Sequence, residues 1–240
     1  MVATIPRLFV DATLTEGADI AASPAQAHYL TNVLRRVPGS KAYLFNGRDG
    51  EWAAHLTSAR RGTATFTIAT QTRAQAAEPD LWLVFALLKR DATDLVVQKA
   101  TELGASDILP VLTRRTNADR TNPTRLAAIA TEAAEQSERL TVPRVHAPQK
   151  LDALLAAWPE NRPVFAAIER LPGAAPLPLH QGPAALLVGP EGGFAPAELD
   201  ALHLHPLVTV LSLGPRVLRA ETASIAGLAL LIAAGAGEAG

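Results

Sequence analysis

The 240-residue chain contains no cysteine, which excludes disulfide staples and thiolate-ligated metals together. Its six histidines include no HxxxH spacing, so a zinc or other metal site is not expected. Long apolar runs are missing as well. The longest, Ala223 to Ala236, has the length of a buried core helix and falls short of the roughly 20 residues a membrane span needs. The N-terminal segment shows no basic start followed by an apolar core and a small-residue cleavage site, so no secretory signal is visible. These absences lead us to expect a soluble, cytoplasmic protein that works without a membrane. A large excess of one charge is also lacking, because 22 Lys/Arg face 23 Asp/Glu. The basic stripe of a tight non-specific nucleic-acid binder is therefore not there. The balance is uneven all the same: residues 1–75 carry eight basic against five acidic side chains, and the remainder carries fourteen against eighteen. Any polyanion contact should be local, and the first segment is its expected place.

What is present describes a globular chain. Hydrophobic residues make up 48% and charged ones 19%, enough apolar surface to form a core at this length without staples. The N-terminal third reads as mostly β with one helix. Ser23-Pro24-Ala25-Gln26 offers a capping residue, a proline at the first helical position and a glutamine three residues after the cap, and it opens a helix through His28, Leu30, Val33 and Leu34 that Pro38-Gly39 stops. Ala42 to Phe45, the turn residues Asn46 to Gly50 and then Glu51 to Leu56 suggest a hairpin, and Gly62 to Thr70 adds a third β-rich segment. Residues 1–70 look like a small barrel, and a linker is expected between Thr70 and Leu81.

Beyond the linker the pattern changes. Apolar runs of strand length (Leu81 to Leu88, Ile108 to Leu112, Val164 to Ile168, Ala184 to Val188, Leu207 to Leu213) alternate with helical segments, as expected of an α/β domain whose parallel sheet is covered on both faces. Asp94 is expected to cap a helix that ends at Gly104. Asn122-Pro123 starts a longer helix to about Leu140, with Leu126, Ala130, Ala133, Ser137 and Leu140 as its packing stripe and Glu132, Gln136 and Arg139 on another face. A compositional bias toward Ala, Pro and Leu is seen at residues 172–185.

The chemistry is expected where strands run into glycine. Ala-Leu-Leu-Val188 leads straight into Gly189-Pro190-Glu191-Gly192-Gly193-Phe194, and Leu207 to Leu213 ends at Gly214-Pro215. Glycine-rich loops at the carboxyl ends of parallel strands bind ligands, because missing Cβ atoms let backbone N–H and C=O groups approach closely. Neither loop carries the Gly-Lys-Ser/Thr of a P-loop or the GxGxxG of a dinucleotide site, so nucleoside phosphates are disfavoured. Closing on one pocket, the two loops could hold a planar heterocycle by peptide hydrogen bonds, with Leu187, Leu211, Leu213 and Leu218 over its apolar face. An adenosyl group without a phosphate chain suits that description. Glu191 is either an acceptor that stabilises its loop or a ligand contact. Arg219 is either a surface or interface ion-pair partner or a cation facing an electron-rich substrate.

GPEGGF at 189–194 and LGPRVLRAETA at 213–223 resemble the two signature loops of the SPOUT, or trefoil-knot, RNA methyltransferases, and specifically those that methylate N3 of a uridine in small-subunit ribosomal RNA. Further segments carry the likeness: Arg7-Leu8-Phe9, His28-Tyr29-Leu30 with Val33-Leu34-Arg35, Gln98 to Gly104, and Glu132 to Arg139 with Pro143. The resemblance spans nearly the whole chain, departing at Ala105, where a larger aliphatic residue is usual, and at Pro215, in a variable slot. It implies a PUA-like RNA-binding β-barrel at residues 1–72 and a SPOUT domain at 73–240 whose C-terminal segment threads a loop to make a knot. It also implies S-adenosylmethionine (SAM) as cofactor, held by residues 187, 189–193, 211, 213, 214 and 218, no metal, 16S ribosomal RNA in the small subunit as partner, and a homodimer.

Methylating uracil N3 requires alignment of donor and acceptor, removal of a weakly acidic imide proton, and stabilisation of the charge left on the flanking carbonyls. Arg219 is the leading candidate for the electrostatic role, with Arg7 and Arg139 as alternatives, and Glu221 or a water is the candidate proton acceptor. Phe9, Tyr29, Tyr43, Phe45 and Trp52 lie beside the basic residues of the first domain and are either barrel core or contacts to an unstacked base. The competing functions are a non-catalytic RNA-binding or ribosome-assembly module, and an enzyme of the same fold acting on another RNA.

Overall fold

The computed structural model describes residues 5–60, 62–118, 120–168 and 182–236. The chain divides into two compact units, residues 1–77 with 134–142, and residues 78–133 with 143–240. Residues 172–181 of the Ala/Pro/Leu-rich stretch lie outside the described residues.

The first unit is built on strands β1 (Arg7–Phe9), β2 (Asp19–Ala21), β3 (Lys41–Phe45), β4 (Glu51–Arg60) and β5 (Thr63–Arg73), in the spatial order β1-β3-β4-β5-β2. Only β1 and β3 run parallel, so the sheet is mixed. The hairpin expected around Asn46-Gly47 is present. The Asn46 side-chain oxygen accepts from the backbone N–H groups of Arg48 and Asp49, at 3.1 and 2.8 Å, which fixes the turn. Gly50 closes it with φ +77°, and a Cβ there would lie 2.2 Å from the Arg73 carbonyl oxygen, so no other residue fits.

Helix α1 (Pro24–His28) starts with the expected reciprocal cap between Ser23 and Gln26. It continues as a π-helical turn, Tyr29–Val33. Ala27 and Leu30 reach the core formed by Leu8, Leu44, Leu56, Phe66 and Ile68. Phe45 is fully buried, whereas Tyr29 remains exposed.

The second unit carries β6 (Leu81–Ala86), β7 (Asp107–Leu112), β8 (Arg144–Val145), β9 (Gln149–Lys150), β10 (Val164–Ala167), β11 (Ala184–Val188) and β12 (Val208–Leu211). Their order is β12-β10-β11-β6-β7-β8, with β9 also on β7, and every ladder is parallel. The helices are α2 (Arg90–Glu102), α3 (Pro123–Gln136, whose residues from 134 onward are counted with the first unit), α4 (Leu151–Ala156), α5 (Pro196–Leu204) and α6 (Ala220–Ala236).

Alternation along the strands sorts side chains onto two faces. Val84, Leu109, Val111, Ala166, Ala185 and Leu187 pack with Leu151, Leu154 and Leu202 of α4 and α5. Leu186 points the other way, where α6 lies against it. A Cβ at Gly227 of α6 would come within 2.7 Å of the Leu186 side chain, so the missing side chain permits this close approach of helix and sheet.

Two helix expectations need correction. Helix α2 begins at Arg90, not at Asp94; Asp94 sits inside it and pairs with Arg125. Helix α3 stops at Gln136, and Glu138 takes a left-handed φ of 59°. Arg139 therefore turns away from the polar face of Glu132 and Gln136 and is buried.

Candidate active site

Because all ladders of the second unit are parallel, the carboxyl ends of β6, β7, β10, β11 and β12 share one edge of the sheet. The two glycine loops leave β11 and β12 there. In the first, the N–H of Gly193 donates to the Pro190 carbonyl at 2.8 Å, and Gly193 has φ +68°. Phe194 turns inward and is buried, with its ring so close to Gly189 that a Cβ there would lie 2.8 Å from it. Pro196 opens α5, and Glu198 accepts from the N–H groups of Ala195 and of Arg114, both at 2.7 Å. This carboxylate ties the start of α5 to the loop after β7.

The second loop runs from Ser212 to Arg219, with φ +109° at Gly214, and α6 follows it. The Arg219 carbonyl accepts from the N–H of Ala223 at 2.8 Å, which makes Arg219 the residue at which the loop becomes helix. The two loops face each other across a cleft of about 590 Å³. Its walls are residues 188–194 and 211–218, with Ala167 of β10 and Ile168 just after it, Leu199 from α5, and Ala220 and Ala223 from α6.

Of the ten residues assigned to cofactor binding, Gly189, Pro190, Glu191, Gly192, Gly193, Leu211, Leu213, Gly214 and Leu218 line this cleft. Leu187 does not. One residue before Val188, which does, it points to the opposite side of the strand and belongs to the core under α4 and α5.

The four candidate catalytic residues separate. Arg219 is exposed and lies between Leu218 and Ala220, which both line the cleft, although Arg219 itself is not part of the wall. Arg216, three residues earlier, is. Glu221 occupies the first turn of α6, and its Oε2 is shielded from solvent without a hydrogen-bond partner. Like Arg219, Glu221 is not part of the cleft wall.

Arg7 and Arg139 belong to the first unit. The Arg7 guanidinium pairs with Glu51 at 2.5 Å, donates to the carbonyls of Ala134 and Arg139, and lies 3.9 Å over the Phe45 ring. All its nitrogens are committed, so Arg7 is a brace of its own unit. The Arg139 guanidinium donates to Thr141 at 3.0 Å.

A residue not singled out from sequence joins the site. Arg115, in the loop after β7, donates from Nη1 to the Gly192 carbonyl at 2.9 Å. The available signal was the Arg114-Arg115 pair directly after the apolar strand β7, on the edge where the glycine loops emerge.

The arrangement offers backbone groups, an apolar floor of Val188, Leu211 and Leu218, and a cation on one wall. It suits a heterocycle without a phosphate chain. Among the described residues no group of three or more His, Cys, Asp or Glu side chains could hold a metal ion, and no helix is long and apolar enough to cross a membrane.

Comparison with known proteins agrees with this geometry. Residues 76–232 match the family model described as RNA methyltransferase domain, and residues 23–69 match RNA methyltransferase PUA domain. Ribosomal RNA small subunit methyltransferase E of Rickettsia conorii is 32% identical over 93% of both chains. The protein of the same name from Synechocystis is 34% identical over 93% of this chain and 74% of its own. The crystal structure of ribosomal RNA small subunit methyltransferase E from Neisseria gonorrhoeae, bound to S-adenosyl methionine, superposes with a TM-score of 0.86 at 28% identity, covering 95% of this chain and 97% of that one. A PUA-like mixed sheet followed by a parallel α/β unit is thus the SPOUT methyltransferase fold, and the chain belongs to the ribosomal RNA small subunit methyltransferase E family.

Proposed function

We propose that this protein uses SAM to methylate N3 of a uridine in the 16S RNA of the small ribosomal subunit. The observation that carries the reading is Gly192. Its φ is not left-handed, and a Cβ there would meet nothing nearer than Arg115 at 3.7 Å. The packing of the loop therefore does not require glycine at this position. The cleft does, if a ligand approaches that backbone as closely as a cradled cofactor must.

The cleft residues of the two loops would hold the cofactor, which when bound supplies an electrophilic methyl group. The remaining work falls to the chain. Arg219, at the start of α6, or Arg216, on the wall, stabilises negative charge on the uracil carbonyls as N3 loses its proton. Glu221, with its unpartnered oxygen in the first turn of the helix, is the acceptor for that proton. Residues 1–72 present RNA as a PUA-like domain, and residues 73–240 form the trefoil-knot catalytic domain. The enzyme acts in the cytoplasm as a homodimer.

Calorimetric titration with SAM and mass mapping of ribosomal RNA test the reading. Wild type should bind SAM stoichiometrically, and Gly192→Val should keep its circular dichroism and melting temperature while losing that binding. A strain lacking the gene should lose one N3-methyluridine from 16S RNA. Absence of SAM binding would leave a non-catalytic RNA-binding module, and an unchanged 16S RNA with an altered transfer RNA would move the activity to another substrate.

A further inference from the structure

Glu198 stands at the third position of α5, and its carboxylate is used in two directions. One oxygen accepts from the N–H of Ala195 at 2.7 Å, which caps the start of the helix as the glutamate of a capping box does. The other accepts from the N–H of Arg114 at 2.7 Å, 84 residues earlier in the chain. A helix cap needs only the first bond. Arg114 lies in a turn, Thr113 to Thr116, that is closed on itself. The Thr116 hydroxyl accepts from the Thr113 N–H at 2.9 Å, and the Thr113 carbonyl accepts from the Thr116 N–H at 3.2 Å. The next residue of the turn, Arg115, holds the Gly192 carbonyl. These bonds make a ring, from Gly192 along the chain to Ala195, across Glu198 to Arg114, and through Arg115 back to Gly192. Gly192 and Gly193 line the cleft, whereas Glu198 does not.

We infer that Glu198 is a positioning residue for the cofactor, one that fastens the downstream end of the first glycine loop to the Thr113–Thr116 turn and so holds the loop in its ligand-ready shape. The inference rests on the reading of the cleft as the SAM site, and it adds a residue that acts from behind the wall. Glycine loses more backbone freedom on ordering than any other residue, and Gly192 has no neighbour nearer than 3.7 Å to an added Cβ. Packing therefore does little to fix this stretch. The Phe194 ring seats the loop in the core, and Glu198 sets the direction of the backbone just beyond it. Without that tie the loop samples shapes that do not bind, and the apparent Kd rises as the competent fraction falls. The ring also explains why glutamate stands here. Glutamine serves in an ordinary capping box, but an amide has one accepting oxygen, and its NH2 would face the second N–H.

The test compares full-length wild type with Glu198→Gln, Glu198→Ala, Arg115→Ala and the Glu198→Gln/Arg115→Ala pair, by calorimetric titration with SAM, stopped-flow binding and thermal melting. Glu198→Gln keeps one of the two bonds, so it should melt close to wild type while its Kd for SAM rises about tenfold. The loss should lie in the association rate constant, because a competent shape must form first, with dissociation nearly unchanged. Glu198→Ala should lose at least as much. The paired variant should bind at most about twofold more weakly than the weaker of its single variants, since either change opens the same ring. Equal Kd in wild type and both Glu198 variants would overturn the inference. So would losses that multiply in the paired variant, or a change confined to dissociation, which marks a lost ligand contact. Methyl transfer by wild type is scored separately. A wild type that methylates no uridine, with these differences in SAM binding still present, would remove the proposed reaction and leave the role of Glu198 standing.

Discussion

Arg115 donates a hydrogen bond to the carbonyl of Gly192 at 2.9 Å, so a side chain from the loop after β7 restrains the glycine loop after β11. The Glu198 carboxylate, holding the N–H of Arg114, fixes the neighbouring residue of the same segment. Removing the tether should cost cofactor affinity by releasing the loop before it binds. Arg115→Ala is expected to raise the Kd for SAM several-fold to about tenfold, with little change in melting temperature because the side chain is exposed. Calorimetry on the two proteins checks this, and an unchanged Kd would show that the glycine loop holds its shape unaided.

Arg7 and Glu51 form an ion pair with both side chains 8% exposed. Thr72 donates to the other Glu51 oxygen at 2.9 Å. Removing Arg7 leaves the buried Glu51 with only the more distant, half-exposed Arg73 at 3.8 Å, and removing Glu51 leaves the buried Arg7 without a carboxylate, so Arg7→Met or Glu51→Leu should each destabilise the protein by about 3 kcal/mol. Changing both together should cost less than the sum of the single changes. Urea unfolding of the three variants provides the cycle. Additive losses would mean that the two residues act independently.

Asp80 sits at the amino edge of the parallel sheet, where Arg162 donates to its Oδ2 at 2.6 Å and stacks 3.9 Å over Trp82. The hydrogen bond from Arg162 holds the Asp80 carboxyl below its ordinary value of 3.8, against the opposing effect of burial. A group depressed in the folded state contributes stability that is fully present above the unfolded value and lost as pH falls through the folded one. The advantage of wild type over Asp80→Asn should therefore be constant from pH 7 to 5 and shrink below about pH 4. Urea midpoints at three pH values measure it, and an advantage that grew in acid would contradict the assignment.

The parts of this molecule legible in its sequence are those written in local chemistry. The Ser23-Gln26 cap, the Asn46 turn and the strand Ala184–Val188 each need only a few adjacent residues. The glycine loops are legible as ligand loops because strand-then-glycine is itself a local pattern. Facing is harder to read. Leu187 looks equivalent to its neighbours, yet strand alternation sends it into the core, and nothing nearby in the sequence says which parity faces α4 and α5. Arg139 depends on one left-handed residue, Glu138, that no turn signal announces. The tether from Arg115 depends on β7 and β11 flanking β6, a long-range fact that residue spacing does not encode.

Gly227 has a consequence for how the cleft responds to a ligand. By letting α6 settle onto Leu186 of β11, it fastens the far end of the second loop to the very strand that launches the first. The opposing walls are thus anchored to one rigid girder, and a cofactor meets a receptacle whose width was fixed when the protein folded.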